Sequence, residues 1–347
     1  MMPSVETMTT EATTTDLSLE PRTPASATAP MTAEAGASTP LVLGAMFFGT
    51  TIDQDTSFAL LDRFVERGGS WIDTADCYCF WASPTGQGGD SERLLGRWLA
   101  ARPAVRDRIR ISTKVGAEPL WAGSWPHQRM GLSRRAVHQA FAGSLERLGV
   151  DHVDMLWLHM EDRATPIEET VDAIGELTAA GMARRVGASN HPAWRVERAR
   201  AHARETGALP IDALQLNHSY LAKRPGAQHP TVAHRFGLLN DEHRDYATEH
   251  GMEVWAYGPL LSGSYDNPAK PIPEAFHHEG TDRRLAALDH VAAATGASRG
   301  QVALAWLVAH GIRPILGGSK PYQLEAGIDG AAMQLTPGQL QRLNNAT

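Results

Sequence analysis

The chain has 347 residues, of which 42% are hydrophobic, 20% charged and 7% aromatic, an ordinary composition for a globular protein. No apolar run approaches the roughly 18 residues that span a bilayer, so no membrane partner is expected. A formal net charge of −7, with no clustered basic residues, argues against nucleic acid as a partner. Two cysteines, Cys77 and Cys79, cannot build a disulfide framework.

Residues 1–40 are rich in Thr, Ala, Ser, Pro and Glu and almost lack large apolar side chains, so they are expected to form a disordered N-terminal tail. Five acidic residues there against the single Arg22 contradict a transit peptide, and the absence of an apolar h-region contradicts a secretory signal. A cytoplasmic location is expected.

From Leu41 the rhythm changes. Short apolar runs at 41–48, 70–75, 109–115, 153–159, 184–189, 213–217, 252–257 and 312–317 alternate with stretches of helical period. In 133–148, Val137, Phe141, Leu145 and Leu148 form one apolar stripe behind a Ser133 cap. Thr165-Pro166 with Glu168 reads as a capping box with proline at the first helical position, ahead of Ile167, Val171 and Ile174 on one face. Ser298 with Gln301 repeats the signal. Eight strands alternating with helices predict an α/β fold, a (β/α)8 TIM barrel over 41–347. A doubly wound sheet is the alternative, but Gly44 and Gly49 do not supply its Gly-x-Gly-x-x-Gly turn.

In such a barrel the residues ending the strands share one pocket. Run two ends in Trp71-Ile72-Asp73 and continues to Tyr78, run three holds Lys114, and run four ends in His159. Lysine is scarce here, with four against 28 arginines, so one inside an apolar strand needs a reason. The four groups make coherent chemistry. An ammonium at Lys114 is expected to lower the pKa of Tyr78, Asp73 to keep that ammonium charged, and His159 to donate to a substrate oxygen. This set polarises a carbonyl yet contains no hydride source, so it calls for a nicotinamide cofactor.

Three segments carry a resemblance to a known family: Gly69-Ser-Trp-Ile-Asp-Thr-Ala-Asp-Cys-Tyr78, Gly89-Asp-Ser-Glu-Arg-Leu-Leu-Gly96, and Ser144-Leu-Glu-Arg-Leu-Gly-Val-Asp-His-Val-Asp154 leading to His159. The chain resembles the aldo-keto reductases, NADPH-dependent (β/α)8 barrels that reduce aldehydes and ketones, from about Leu41 to Asn345. The resemblance implies that Asp73, Tyr78, Lys114 and His159 are the catalytic tetrad. It implies that Ser189, Asn190 and Gln215 hold the nicotinamide carboxamide and that Tyr257 stacks on its ring. Pro259, Leu260, Ser262 and Gly263 fall where the pyrophosphate is lined, and Gly318, Ser319, Lys320 and Gln323 where the adenosine 2′-phosphate of NADP(H) is gripped. The chain departs from the family pattern in four places. Cys79-Phe80-Trp81 follows Tyr78 where glycine is usual, His218 replaces a common Tyr, Met182 stands where a Lys commonly follows Gly181, and Gln323-Leu-Glu-Ala-Gly327 lacks the Glu-Asn pair that many members use on adenine.

No metal is expected, since no His-x-His ends the first strand and His277-His278 lies in a Pro- and Gly-flanked segment. Phe80, Trp81, Trp121 and Trp125 lie on loops that would rim the pocket, where they either bind apolar substrate or pack the loops. The function so implied is NADPH-dependent reduction of a small-molecule carbonyl to an alcohol, with the proton from Tyr78. An NADPH-binding sensor or regulatory subunit is the alternative.

Overall fold

Each of the eight apolar runs forms one strand in the computed structural model, which describes residues 39–227 and 236–346. The strands are β1 (Val42–Gly44), β2 (Trp71–Asp73), β3 (Arg110–Val115), β4 (Met155–Leu158), β5 (Val186–Ser189), β6 (Ala213–Asn217), β7 (Glu253–Tyr257) and β8 (Ile312–Leu316). Every strand pairs in parallel with its sequence neighbours, and β1 closes the ring on β8 with Val42 opposite Ile315. The closed (β/α)8 barrel excludes the doubly wound sheet. The first run yields the shortest strand relative to its length, because the chain turns at Ala45, whose carbonyl accepts from the Phe48 N–H at 3.0 Å.

Ten helices among the described residues surround and cap the barrel: α1 (Gln54–Glu66), α2 (Asp90–Ala101), α3 (Arg134–Leu148), α4 (Ile167–Ala179), α5 (Ala193–Thr206), α6 (Asp241–Glu249), α7 (Glu279–Thr295), α8 (Arg299–Ala309), α9 (Pro321–Ala332) and α10 (Pro337–Asn344). No helix among them is long and apolar enough to cross a membrane. Ser133 caps α3 by accepting from the Ala136 N–H, and Val137, Phe141 and Leu148 are buried behind it. Ser298 and Gln301 form the expected capping box on α8. The box at Thr165 does not form. Pro166 is itself the N-cap of α4, and the Thr165 hydroxyl donates instead to Asp162 at 2.8 Å, a carboxylate that also accepts the Leu132 N–H. Thr165 thus stands one position ahead of the N-cap, with its hydroxyl turned to the loop carboxylate.

The tail expected over 1–40 lies outside the described residues except for Thr39 and Pro40. Thr39 is buried, donates its N–H to the Gly68 carbonyl and accepts from the Leu41 N–H.

The barrel interior is packed solid. Val42, Trp71, Met155, Trp157, Ala213, Trp255 and Ile315 form one buried cluster in which Trp255 meets Trp71 at 5.0 Å and Trp157 at 5.1 Å, edge to face in both pairs. Room for Trp157 comes from Gly187 on the adjoining strand, where a Cβ would lie 2.1 Å from the indole ring. This plug closes the barrel below the level of the strand ends.

Candidate active site

Side chains on a strand alternate faces, so a residue two positions beyond an inward-facing one also faces inward. Two residues past the tryptophan plug lie Asp73 (from Trp71), His159 (from Trp157), Gln215 (from Ala213) and Tyr257 (from Trp255). Lys114 and Ser189 share that inward face, since Lys114 pairs with Trp157 and Ser189 with Gln215. The strand period therefore turns these six groups toward the barrel axis at and above the level of the plug. Tyr78 joins them from the loop after β2.

Lys114 is fully buried, and its Nζ donates to Asp73 Oδ2 at 2.5 Å, to the Thr74 carbonyl at 2.7 Å and to Tyr78 Oη at 3.0 Å. Three donors are thereby fully used. Asp73 is held in turn by the Ser112 hydroxyl at 2.6 Å and the Gln215 amide at 3.2 Å, both on Oδ1. The Tyr78 and His159 rings meet edge to face with centroids 5.7 Å apart. The four predicted catalytic groups are brought together.

The electrostatics correct one expectation. Burial pushes the Tyr78 phenol well above 10, and the Asp73 carboxylate and then Cys77 and Asp76 push it the same way, so the pKa is raised where an ammonium neighbour was expected to lower it. The reason is geometric. Asp73 lies against the same ammonium and cancels the charge that would have favoured the phenolate. Burial, then the Lys114 and Arg129 charges, hold His159 well below 6.5, so its imidazole is neutral at neutral pH.

Cys77 Sγ lies 3.5 Å from His159 Nδ1, and with Asp76 these are the described residues' one grouping of potential metal-ligand atoms, all within 4.8 Å. Burial raises both the thiol and the Asp76 carboxyl well above their ordinary values, so binding a cation there would carry the added cost of displacing protons.

The groups assigned to a nicotinamide cofactor by resemblance fall into one arc. Asn190, at φ 59, follows Ser189 and donates to its hydroxyl at 3.0 Å and to the His159 carbonyl at 2.9 Å, while its Oδ1 accepts from the Tyr257 hydroxyl at 2.8 Å. Three amide or hydroxyl side chains and one aromatic ring at the ends of β5, β6 and β7 suit a flat carboxamide-bearing ring. Beyond β7, Pro259 and Leu260 lead into a tight turn in which Leu261, Ser262 and Gly263 have φ of 48°, 58° and 94°. Within the turn the Leu261 N–H donates to the Gly258 carbonyl at 3.2 Å and the Gly263 N–H to the Leu260 carbonyl at 2.8 Å, which leaves the Ser262 N–H for an outside acceptor. The sequence reading missed Lys270, which folds back onto this turn and donates to the Ser262 carbonyl at 2.9 Å. Its signal was the scarcity of lysine. After β8, Gly318 and Ser319 lead to Lys320, the N-cap residue of α9, and the Ser319 N–H donates to Gln323 Oε1 at 3.1 Å. Glu325, in the segment lacking the Glu-Asn pair, is bound to Arg63 and Arg67.

Aromatic rings stand over the pocket. Phe80 packs against Trp81 at 4.9 Å and Trp125 at 5.3 Å, and Phe80, Trp125 and Tyr78 share a small cluster with Ala75, Cys77, Ala117 and Met160. Trp81 and Trp121 are each 54% exposed. Behind the site, Ser91 donates to the Ala45 carbonyl at 2.7 Å, and the buried Glu92 accepts from Arg147 at 2.7 Å and from Thr113. The second and third sequence motifs are thus one brace that fixes α2 and α3 to the strands bearing Asp73 and Lys114.

A sequence model described as the Aldo/keto reductase family matches residues 40–347. The chain is similar to an aryl-alcohol dehydrogenase of Pestalotiopsis microspora, 31% identical over 320 residues that cover 88% of this chain and 77% of that protein. It is also similar to norsolorinic acid reductase of Aspergillus flavus, at 30% identity over 88% of this chain and 77% of that one. An NADP(+) aryl-alcohol dehydrogenase of Phanerodontia chrysosporium is 29% identical, over 88% and 82% respectively.

Proposed function

The chain belongs to the Aldo/keto reductase family of oxidoreductases, and from that premise we propose that it reduces the carbonyl of a small aldehyde or ketone to the alcohol, reversibly, using NADPH. The observation that carries this reading is the Lys114 ammonium bound at once to Asp73, the Thr74 carbonyl and Tyr78 Oη.

Because Tyr78 Oη accepts from Lys114, its own proton is free to point at a substrate oxygen. The bound nicotinamide supplies the hydride. Tyr78 delivers its proton to the oxygen as negative charge develops there, since an alkoxide is a far stronger base than a phenolate. Lys114, 3.0 Å away, stabilises the phenolate left behind, and Asp73 keeps the ammonium in place. His159, neutral, donates a second hydrogen bond to the same oxygen and orients it. The raised pKa of Tyr78 keeps the acid form present across the physiological range.

Ser189, Asn190 and Gln215 hold the carboxamide and Tyr257 offers its ring for stacking. Backbone from Pro259 to Gly263, with Lys270 beside it, meets the pyrophosphate, and Ser319 and Lys320 meet the 2′-phosphate. The preferred substrates are aromatic carbonyls. Phe80, Trp81, Trp121 and Trp125 supply an aromatic rim, and two of the similar proteins are named for aryl alcohols.

Oxidation of NADPH by the purified protein across aryl and alkyl aldehydes and ketones tests the reading. Turnover with aryl aldehydes ahead of alkyl ones is expected. Tight NADPH binding with no turnover on any of them would replace it with the sensor reading.

A further inference from the structure

His159 acts on a substrate oxygen only if the ring nitrogen facing the pocket carries the proton. A neutral imidazole has one N–H and one bare nitrogen, and the partner of one nitrogen decides the state of the other. Nε2 bonds to none of the described residues and is not among the sealed, unpartnered atoms, so it is the nitrogen open to the pocket. Nδ1 has one partner, the Cys77 thiol at 3.5 Å. We propose that Cys77 is a positioning residue whose S–H donates to His159 Nδ1 and so fixes the ring in the tautomer that carries its proton on Nε2.

The direction of that hydrogen bond follows from its surroundings. Cys77 is buried, and its thiol is held well above 9, first by burial and then by the neighbouring Asp76 and Glu118 carboxyls, so the sulfur keeps its hydrogen. Two other carboxyls lie nearby, but the oxygens of Asp76 and Oε2 of Glu118 take no hydrogen bond, and His159 Nδ1 is the sulfur's one hydrogen-bond partner. The thiol hydrogen therefore goes to Nδ1. With the bond reversed, Nδ1 would carry the proton, and Nε2 would present a lone pair that repels a carbonyl oxygen. Cys77 sits one residue before Tyr78 on the loop after β2, so the same short segment supplies the proposed acid and sets the tautomer of its neighbour.

This inference rests on the carbonyl-reduction reading for its consequence, but the tautomer itself is read without cofactor or substrate. Long-range nitrogen–proton spectra of the uniformly 15N-labelled chain distinguish the two ring nitrogens, and the His159→Gln spectrum identifies which of the 15 histidines is His159. The wild type is expected to show a bare Nδ1 and a protonated Nε2. Cys77→Ala is expected to give a mixture of tautomers and a kcat lower by about two- to tenfold, the range of one lost hydrogen bond, with KM for NADPH unchanged. Cys77→Ser keeps a donor and is expected to restore both. A protonated Nδ1 in the wild type overturns the proposal, as does a tautomer that ignores Cys77→Ala. A Cys77→Ser protein that behaves as Cys77→Ala does overturns it as well, because the effect then belongs to packing. If the spectra come out as expected while no carbonyl is reduced, the tautomer lock stands and the functional reading fails.

Discussion

Lys114 Nζ lies 2.5 Å from Asp73 Oδ2, and both side chains are closed to solvent at the bottom of the candidate site. A buried pair of this kind contributes little relative to an apolar pair, but loss of one partner strands the other charge in a low dielectric. Asp73→Asn is therefore expected to destabilise the protein by about 3–5 kcal/mol, and addition of Lys114→Met to recover most of it. Urea unfolding of the three proteins measures this. A single-variant loss below about 1 kcal/mol would mean that water reaches the pair.

Tyr78→Phe removes the proposed acid and nothing that packs, since the ring remains against Phe80, Ala117 and Met160. Turnover is expected to fall by about 10² to 10⁴, with NADPH affinity nearly unchanged and stability lower by about 1–3 kcal/mol, since the buried Lys114 ammonium loses one of its three acceptors. The raised phenol pKa also fixes the pH profile. The acid form persists to above pH 10, so the reductive rate shows no alkaline limb from Tyr78 below that value. A limb near pH 8 that vanishes in Tyr78→Phe would show that Lys114 does lower the phenol once cofactor is bound.

The strand residues were legible because a period of two is a sequence property: Trp71 with Asp73, and Trp157 with His159, declare their shared face before any folding. The sense of the Tyr78 shift was not legible. It depends first on how deeply one loop buries a ring, which no local pattern states. The contact between Cys77 and His159 joins positions 82 residues apart, and nothing local to either announces it. Lys270 reaches the Leu261–Gly263 turn only through the path of its loop. The motif Gly89–Gly96 was recognised as a string, yet its physical role appears only when Glu92 is seen gripping Arg147.

Asp76 presents a sign that can be checked against pH. Its carboxyl is buried with both oxygens unpartnered, and burial, then Glu92 and Glu118, raise its pKa well above 3.8. A group with a raised folded pKa favours the fold fully below its unfolded value, and that contribution is lost as pH rises. At pH 7 the unfolded carboxyl is ionised and the folded one resists ionisation, so Asp76 opposes folding. Asp76→Asn removes the titration at nearly constant shape. The variant's stability relative to wild type is expected to improve steadily from pH 4 to pH 7 in denaturant unfolding. A difference independent of pH would show that a partner satisfies the carboxylate in solution.

Cofactor choice is expected to turn on Lys320. It caps the start of α9 and is exposed, with its Nζ 5.8 Å from the Tyr322 ring centre, and no acidic side chain is paired with it among the described residues. Glu325, in the segment without the Glu-Asn pair, is held by Arg63 and Arg67. Discrimination between NADPH and NADH is therefore expected to rest on the charge at 320 and the hydroxyl of Ser319. One hydrogen bond to a charged group is worth roughly 1.5–3 kcal/mol, or about tenfold to 150-fold in affinity. Wild type should prefer NADPH by at least about tenfold on that basis, and Lys320→Ala should lose the preference while leaving NADH binding as it was. Because the contact is exposed, added salt should weaken NADPH binding to the wild type more than to the variant. Fluorescence titration of both nucleotides at two salt concentrations reads all three quantities. A variant that loses both nucleotides alike would assign Lys320 to the shape of the loop, and equal affinities in the wild type would remove the 2′-phosphate from the recognition altogether.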